Sequence, residues 1–240
     1  MITMMTTTKT LADVAATSLS AVSTLERHGL DYCCGGKQSF DEACLAKGLQ
    51  PADVMQEIQQ ARTFGEEDRD WQTAPLGDLV KHILATHHEF LKRELPAISN
   101  RMDKVLAVHG ARDPEMLPRM AVVFRDLYVD MDAHMHKEEE VLFPFIEQYS
   151  RAEAAGQPVP RVPFGSIANP IKMMESEHEQ AGGALEEIRS LTRDFELPSY
   201  ACSTVRALYE GIQAVAADLH VHIHLENNIL FPRAIALEKR

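Results

Sequence analysis

A chain of 240 residues, 45% hydrophobic and 25% charged, has room for one large domain or for a small domain joined to a medium one. Its formal net charge of -12 denies it the basic face that phosphate neutralisation requires, so neither nucleic acid nor an anionic membrane surface is expected as a partner. The opening MITMMTTTKT lacks the positive start and apolar stretch of a signal peptide, and no window approaches the ~20 apolar residues of a membrane span, which makes a cytoplasmic protein the expectation.

Residues 1–10 are Thr-rich and aperiodic and are expected to be disordered. From Leu11 to about His28 apolar residues recur at helical spacing (Leu11, Val14, Ala15, Leu19, Val22, Leu25), with Gly29 placed to stop the helix. The loop DYCCGG follows, then two short helices, one from Phe40 behind a Ser39 cap and one from Pro51 at a favoured first position. Together these make a small helical domain over 11–62, and the polar stretch 63–74 (TFGEEDRDWQTA) reads as a linker. Residues 75–240 read as long helices: Pro75–Glu94, Ala97–Val108, Pro114–Tyr149, Pro170–Arg193 and Tyr200–Glu238. Phe143-Pro144 and Phe231-Pro232 should end or kink two of them. Pro158, Pro160 and Pro163 mark a surface crossover before Pro170. No strand is expected. The fold class is all-α, a four-helix bundle preceded by the small helical domain.

Two segments repeat, HMHKEEEVLFP at 134–144 and HIHLENNILFP at 222–232. Each carries a histidine, a glutamate four residues later and an apolar-Phe-Pro ending. Residues four apart share a helix face, so His134 with Glu138 and His222 with Glu226 each aim two ligands at one spot. Upstream, His88 lies 46 residues before His134, and His178 lies 44 before His222. The six residues exceed the four that a tetrahedral zinc site takes and suit two iron or manganese ions bridged by both carboxylates. The repeat separates His88 only weakly from its neighbour His87. His82 lies on another face, His136, His220 and His224 are read as surface or supporting groups, and His28 and His109 as helix-end residues. A purely structural duplication, with LFP as a packing signature, is the competing account.

Cys33 and Cys34 follow a helix directly, and adjacent cysteines do not bridge without strain. Transient metal binding, thiol transfer and redox chemistry compete there with a small apolar turn, and Lys37 is placed to favour a thiolate. Cys44 and Cys202 sit in helical patterns and are expected to be packing residues.

These segments resemble the RIC family, the di-iron proteins for repair of iron centres. DYCCGGKQ is similar to the family's short N-terminal domain, and MESEHEQAG, HMHKEEEVLFP and HLENNILFP to its hemerythrin-like domain, over nearly the whole chain. The resemblance implies two non-haem iron ions held by His88, His109, His134, His178 and His222, with Glu138 and Glu226 as bridging carboxylates. It favours His88 over His87 and adds His109. The family's cysteines fall on Cys33 and Cys34, as groups that relay iron or contact the client. The implied function is repair of iron-sulfur clusters damaged by nitric oxide or oxidative stress, by iron donation, with damaged iron-sulfur proteins and nitric oxide as partners and a homodimer as one compatible assembly. Binding nitric oxide as a scavenger or sensor, or reducing it to nitrous oxide at the two irons, are the alternatives, and the choice decides whether the chain is an enzyme.

Overall fold

The computed structural model describes residues 9–17, 19–33, 35–61 and 70–240, which are helical apart from turns, loops and an isolated bridge between Thr10 and Ser39. The chain divides into two compact units, residues 1–75 with 220–233, and residues 76–219 with 234–240.

The first unit begins with α1 (Leu11–Ala15), α2 (Leu19–Arg27), α3 (Phe40–Ala46) and α4 (Pro51–Ala61). Thr10, assigned to the disordered N-terminus by its composition, is instead the N-cap of α1. Its hydroxyl accepts from the Asp13 N–H at 3.1 Å and the Asp13 carboxylate accepts from the Thr10 N–H at 2.9 Å, a reciprocal capping box. Leu11, Val14, Leu25, Leu30, Tyr32, Phe40, Val54 and Ile58 form the core of this unit, together with Ile223. The N–H groups of Leu11 and Ala12 donate to the carbonyls of Gln38 and Gly36, both at 2.9 Å, so residues 36–38 lie against the start of α1. A Cβ at Gly36 would stand 2.6 Å from the Tyr32 carbonyl oxygen, so this position admits only glycine.

In the second unit α5 (Leu76–Ile83) runs through a π-helical turn, π1 (Leu84–His88), into α6 (Glu89–His109). Next come α7 (Met116–Lys137), π2 (Glu138–Leu142), α8 (Phe143–Ala154) and α9 (Ala168–Leu191). The chain ends with α10 (Ser203–Leu225), π3 (Glu226–Leu230) and α11 (Phe231–Glu238), of which residues 220–233 belong to the first unit. Leu95, Ile98 and Met102 of α6, Phe124, Leu127 and Met131 of α7, Leu185 and Ile188 of α9, and Leu208, Ile212 and Val215 of α10 pack into one core. The all-α four-helix bundle expected from the apolar periodicity is therefore the architecture. The crossover before α9 is tied down by Glu238, whose carboxylate accepts from Ser166 Oγ, the Ile167 N–H and Tyr149 Oη. No helix of the described residues is long and apolar enough to cross a membrane.

Prolines behave differently from expectation. The break expected between Glu94 and Ala97 does not occur, because α6 continues through Pro96. The lost hydrogen bond is offset by the fully buried Leu91, Leu95 and Ile98 that flank it. Pro96→Ala should therefore raise stability by about 1–3 kcal/mol in denaturant titration; a loss of stability would show that packing depends on the proline's local distortion. At the two Phe-Pro pairs the helix widens instead of ending. The Phe143 N–H donates to the Glu138 carbonyl and the Phe231 N–H to that of Glu226, five residues back in each case. The next residue, proline, has no N–H and its ring would strike a carbonyl four residues earlier, and a π turn relieves that clash.

Candidate metal centre

The second unit gathers four of the expected ligands at the π turns. His88 closes π1, Glu138 opens π2, His134 lies one turn before Glu138, and His178 comes from the middle of α9. All four are fully buried. His88 Nε2 lies 3.4 Å and His134 Nε2 3.2 Å from Glu138 Oε2, and the Nε2 atoms of His134 and His178 are 3.1 Å apart. Ligand atoms of His134, Glu138 and His178 all fall within 4.8 Å of one another, as a shared metal ion requires. Separations of 3.1–3.4 Å suit neighbouring donors on an ion with bonds of about 2.1 Å.

The protonation of two of these imidazoles follows from their outer partners. His88 Nδ1 is 2.7 Å from Glu139 Oε1 and His134 Nδ1 is 2.9 Å from Glu177 Oε2. A carboxylate only accepts, so each Nδ1 carries a proton, which leaves Nε2, on the side of Glu138, as the nitrogen able to present a lone pair to a metal. Burial works to raise both carboxyls, yet hydrogen bonds from Lys92 and His88 hold Glu139 below the ordinary range, and bonds from Lys137 and His134 do the same for Glu177. A lone pair at His134 Nε2, 3.1 Å from a second imidazole nitrogen and 3.2 Å from a carboxylate oxygen, calls for a cation or a proton among them. The donor set thus fits a divalent ion that takes mixed nitrogen and oxygen ligands.

In the first unit His222 Nε2 and Glu226 Oε1 lie 3.0 Å apart, both fully buried, with Glu226 opening π3 as Glu138 opens π2. His224, expected at the surface or as a supporting group, is buried: its ring meets Tyr32 edge-on at 5.4 Å and its Nδ1 accepts from Asn228 at 3.1 Å. Burial pushes its pKa down to about 4 and keeps it neutral.

His109 is not brought to this cluster. The 21-residue α6 separates it from His88, about 30 Å at 1.5 Å per residue. Its Nε2 lies instead 3.5 Å from Cys202 Sγ and its ring stacks on Tyr200. The ligand set implied by the resemblance is thus not gathered whole around Glu138, because a helix of 21 residues holds its last residue far from its first turn. Cys202, expected as a packing residue, is exposed, whereas Cys44 is buried as expected. Cys33 is buried and its Sγ donates to Asp31 Oδ1 at 3.2 Å, so a carboxylate flanks the sulfur at the place where Lys37 was expected to act. Cys34 lies outside the described residues, as do 62–69 of the expected linker.

Both members of the His87–His88 pair are buried, in different surroundings, with His87 Nδ1 2.9 Å from Asp218 Oδ1 and His88 turned to Glu138 and Glu139. Sequence reading missed Glu139 and Glu177, which resemble solvated charges in HKEEE and ESEHE. The available signal was a carboxylate adjacent in sequence to an expected ligand, Glu139 after Glu138 and Glu177 before His178.

Residues 79–234 match the model of the hemerythrin HHE cation binding domain, and residues 7–62 match a domain of unknown function named DUF542. The chain is 39% identical over 229 residues to the iron-sulfur cluster repair protein YtfE of Cronobacter sakazakii, covering 95% of this chain and 97% of that one. It is 38% identical to the protein of the same name from an Enterobacter species, covering 91% and 92%. Against that from Escherichia coli O81 it is 36% identical, covering 95% and 97%.

Proposed function

The chain belongs to the RIC family, the proteins for repair of iron centres, and on that footing we propose that it restores iron-sulfur clusters damaged by nitric oxide or oxidative stress, in the cytoplasm, by donating iron. His88, His134, Glu138 and His178 would hold iron in the second unit. His222 and Glu226, the second copy of the same sequence repeat, would supply the remaining ligands for two non-haem iron ions, with Glu138 and Glu226 as the carboxylates. The observation that supports this most is the buried set around Glu138, in which two imidazoles are fixed through Nδ1 by ionised glutamates and offer Nε2 inward. Bound there, ferrous iron supplies the metal that a damaged cluster has lost. Carboxylates and neutral imidazoles retain ferrous iron without the thiolates that would lock it in place, which favours release over permanent storage. Cys33 and Cys34 relay that iron or contact the client protein.

The test is anaerobic incubation of iron-loaded protein with a client whose four-iron cluster has been damaged by nitric oxide. Wild-type protein should restore the cluster's absorbance and the client's activity. Cys33→Ser with Cys34→Ser should keep its iron and lose the restoration; repair at the wild-type rate would end the relay role. Should no client be restored while nitrous oxide accumulates over many turnovers with reductant, the protein is a nitric oxide reductase. Uptake that stops at a fixed stoichiometry marks a nitric oxide binder instead.

A further inference from the structure

At the start of α10 the second unit holds a cysteine and a histidine that the metal centre does not use. Cys202 immediately precedes Ser203, the first residue of α10, and its carbonyl accepts from the Arg206 N–H at 3.1 Å, which makes it the helix N-cap. Its thiol is exposed, in contrast to the buried Cys33 and Cys44. His109 comes from the far end of α6, 93 residues earlier in sequence, and its Nε2 is 3.5 Å from the sulfur. The imidazole is 93% buried, stacks on the Tyr200 ring with centroids 5.1 Å apart, and its Nδ1 has no hydrogen-bond partner. The Tyr200 hydroxyl donates to Asp113 at 3.2 Å and fixes the ring on which His109 lies. A buried, oriented imidazole whose polar contact is a solvent-facing sulfur is not a packing arrangement.

We propose that Cys202 and His109 form a reactive thiol site that exchanges with low-molecular-weight disulfides of the glutathione class. His109 acts as a donor, through the Nε2–H of the ring nitrogen that faces the sulfur. The thiol proton leaves to water, which reaches Cys202 directly. The backbone N–H of Val205, the His109 ring and the Thr204 N–H and hydroxyl stabilise the thiolate against the opposing effect of desolvation, and hold the thiol near 6. In the exchange the Cys202 sulfur attacks one sulfur of the disulfide. A new S–S bond forms as the old one breaks, and the departing sulfur takes the electron pair away as a thiolate. The product is a mixed disulfide at the N-terminus of α10.

The experiment uses the iron-loaded full chain. Iodoacetamide alkylation of Cys202, followed by peptide mass mapping across pH, should titrate with a midpoint near 6, against ~8.5 for an unperturbed thiol. Glutathione disulfide at neutral pH should modify Cys202 about tenfold faster than Cys33 or Cys44, whose burial shields them. His109→Phe retains a ring on Tyr200 but no donor and should move the midpoint up toward the ordinary value, while His109→Gln, which keeps an N–H donor, should move it less. A wild-type midpoint at the ordinary value, or adducts that form on the other cysteines and spare Cys202, would overturn the proposal. If His109→Phe does not fold, the wild-type midpoint and the site of adduct formation decide alone.

Discussion

On the proposed two-iron centre, Glu138→Gln should cut bound iron from two per chain to one or fewer and abolish the rise in melting temperature that iron would confer. Glu138 is fully buried, with Oε2 3.4 Å from His88 Nε2 and 3.2 Å from His134 Nε2. Its carboxylate would supply the negative charge that compensates a dication held away from water, and an amide would supply none. Iron at about 100 times its dissociation constant stabilises the folded state by about 2.7 kcal/mol, which for a domain of this size raises the midpoint by about 5–10 °C. The metal-free protein should respond in the opposite direction. There the glutamine removes a buried charge, and its amide N–H groups donate to the Nε2 lone pairs of His88 and His134, so the variant should melt at or above metal-free wild type. This change of sign between the two states separates a ligand from a packing residue. A variant that keeps its iron and melts lower in both states would place Glu138 in the core and remove it from the centre. Metal analysis and paired melting curves with and without iron give both readings.

What the sequence made legible is what local periodicity encodes. A histidine and a glutamate four residues apart on an amphipathic helix must share a face, and His134 with Glu138 and His222 with Glu226 do so at 3.2 and 3.0 Å. The bundle was equally readable, since Leu95, Ile98, Met102 and their counterparts recur at helical spacing. Contacts set by tertiary distance were not. His87 finds Asp218 across 131 residues, and His109 finds Cys202 across 93, separations for which no spacing rule exists. The π turns π2 and π3 escaped because an X-Pro pair signals only that a regular helix fails there. Whether the chain stops or widens depends on the hydrophobic anchors beyond it, and Phe143, Ile146 and Tyr149 after π2 are buried enough to carry α8 onward. Capping chemistry placed Thr10 within the fold against the evidence of its Thr-rich surroundings.

The outer carboxylates carry the second large effect. Glu139→Ala and Glu177→Ala should each weaken iron binding by about 10–100-fold, and the double variant by about 10²–10⁴-fold if the two sites act independently. Glu139 holds His88 through Nδ1 while bonded to Lys92, and Glu177 holds His134 in the same way while bonded to Lys137. Removing the acceptor frees each imidazole to move its proton to Nε2, the atom that must stay bare for a metal. Glu→Gln at the same positions keeps an oxygen acceptor and loses only the charge, so those variants should fall between wild type and alanine. Both side chains are about a quarter exposed, which leaves room for the substitution, and the metal-free melting temperature should change little. Competition for ferrous iron with a chelator of known affinity measures the ladder. Alanine variants that compete as wild type does would mean that packing alone orients His88 and His134, with Phe143 against the His88 ring and His178 against that of His134 as the remaining constraints. The intermediate position of glutamine is the more demanding result, because bulk packing predicts no difference between an acceptor and a methyl group, whereas tautomer control requires one.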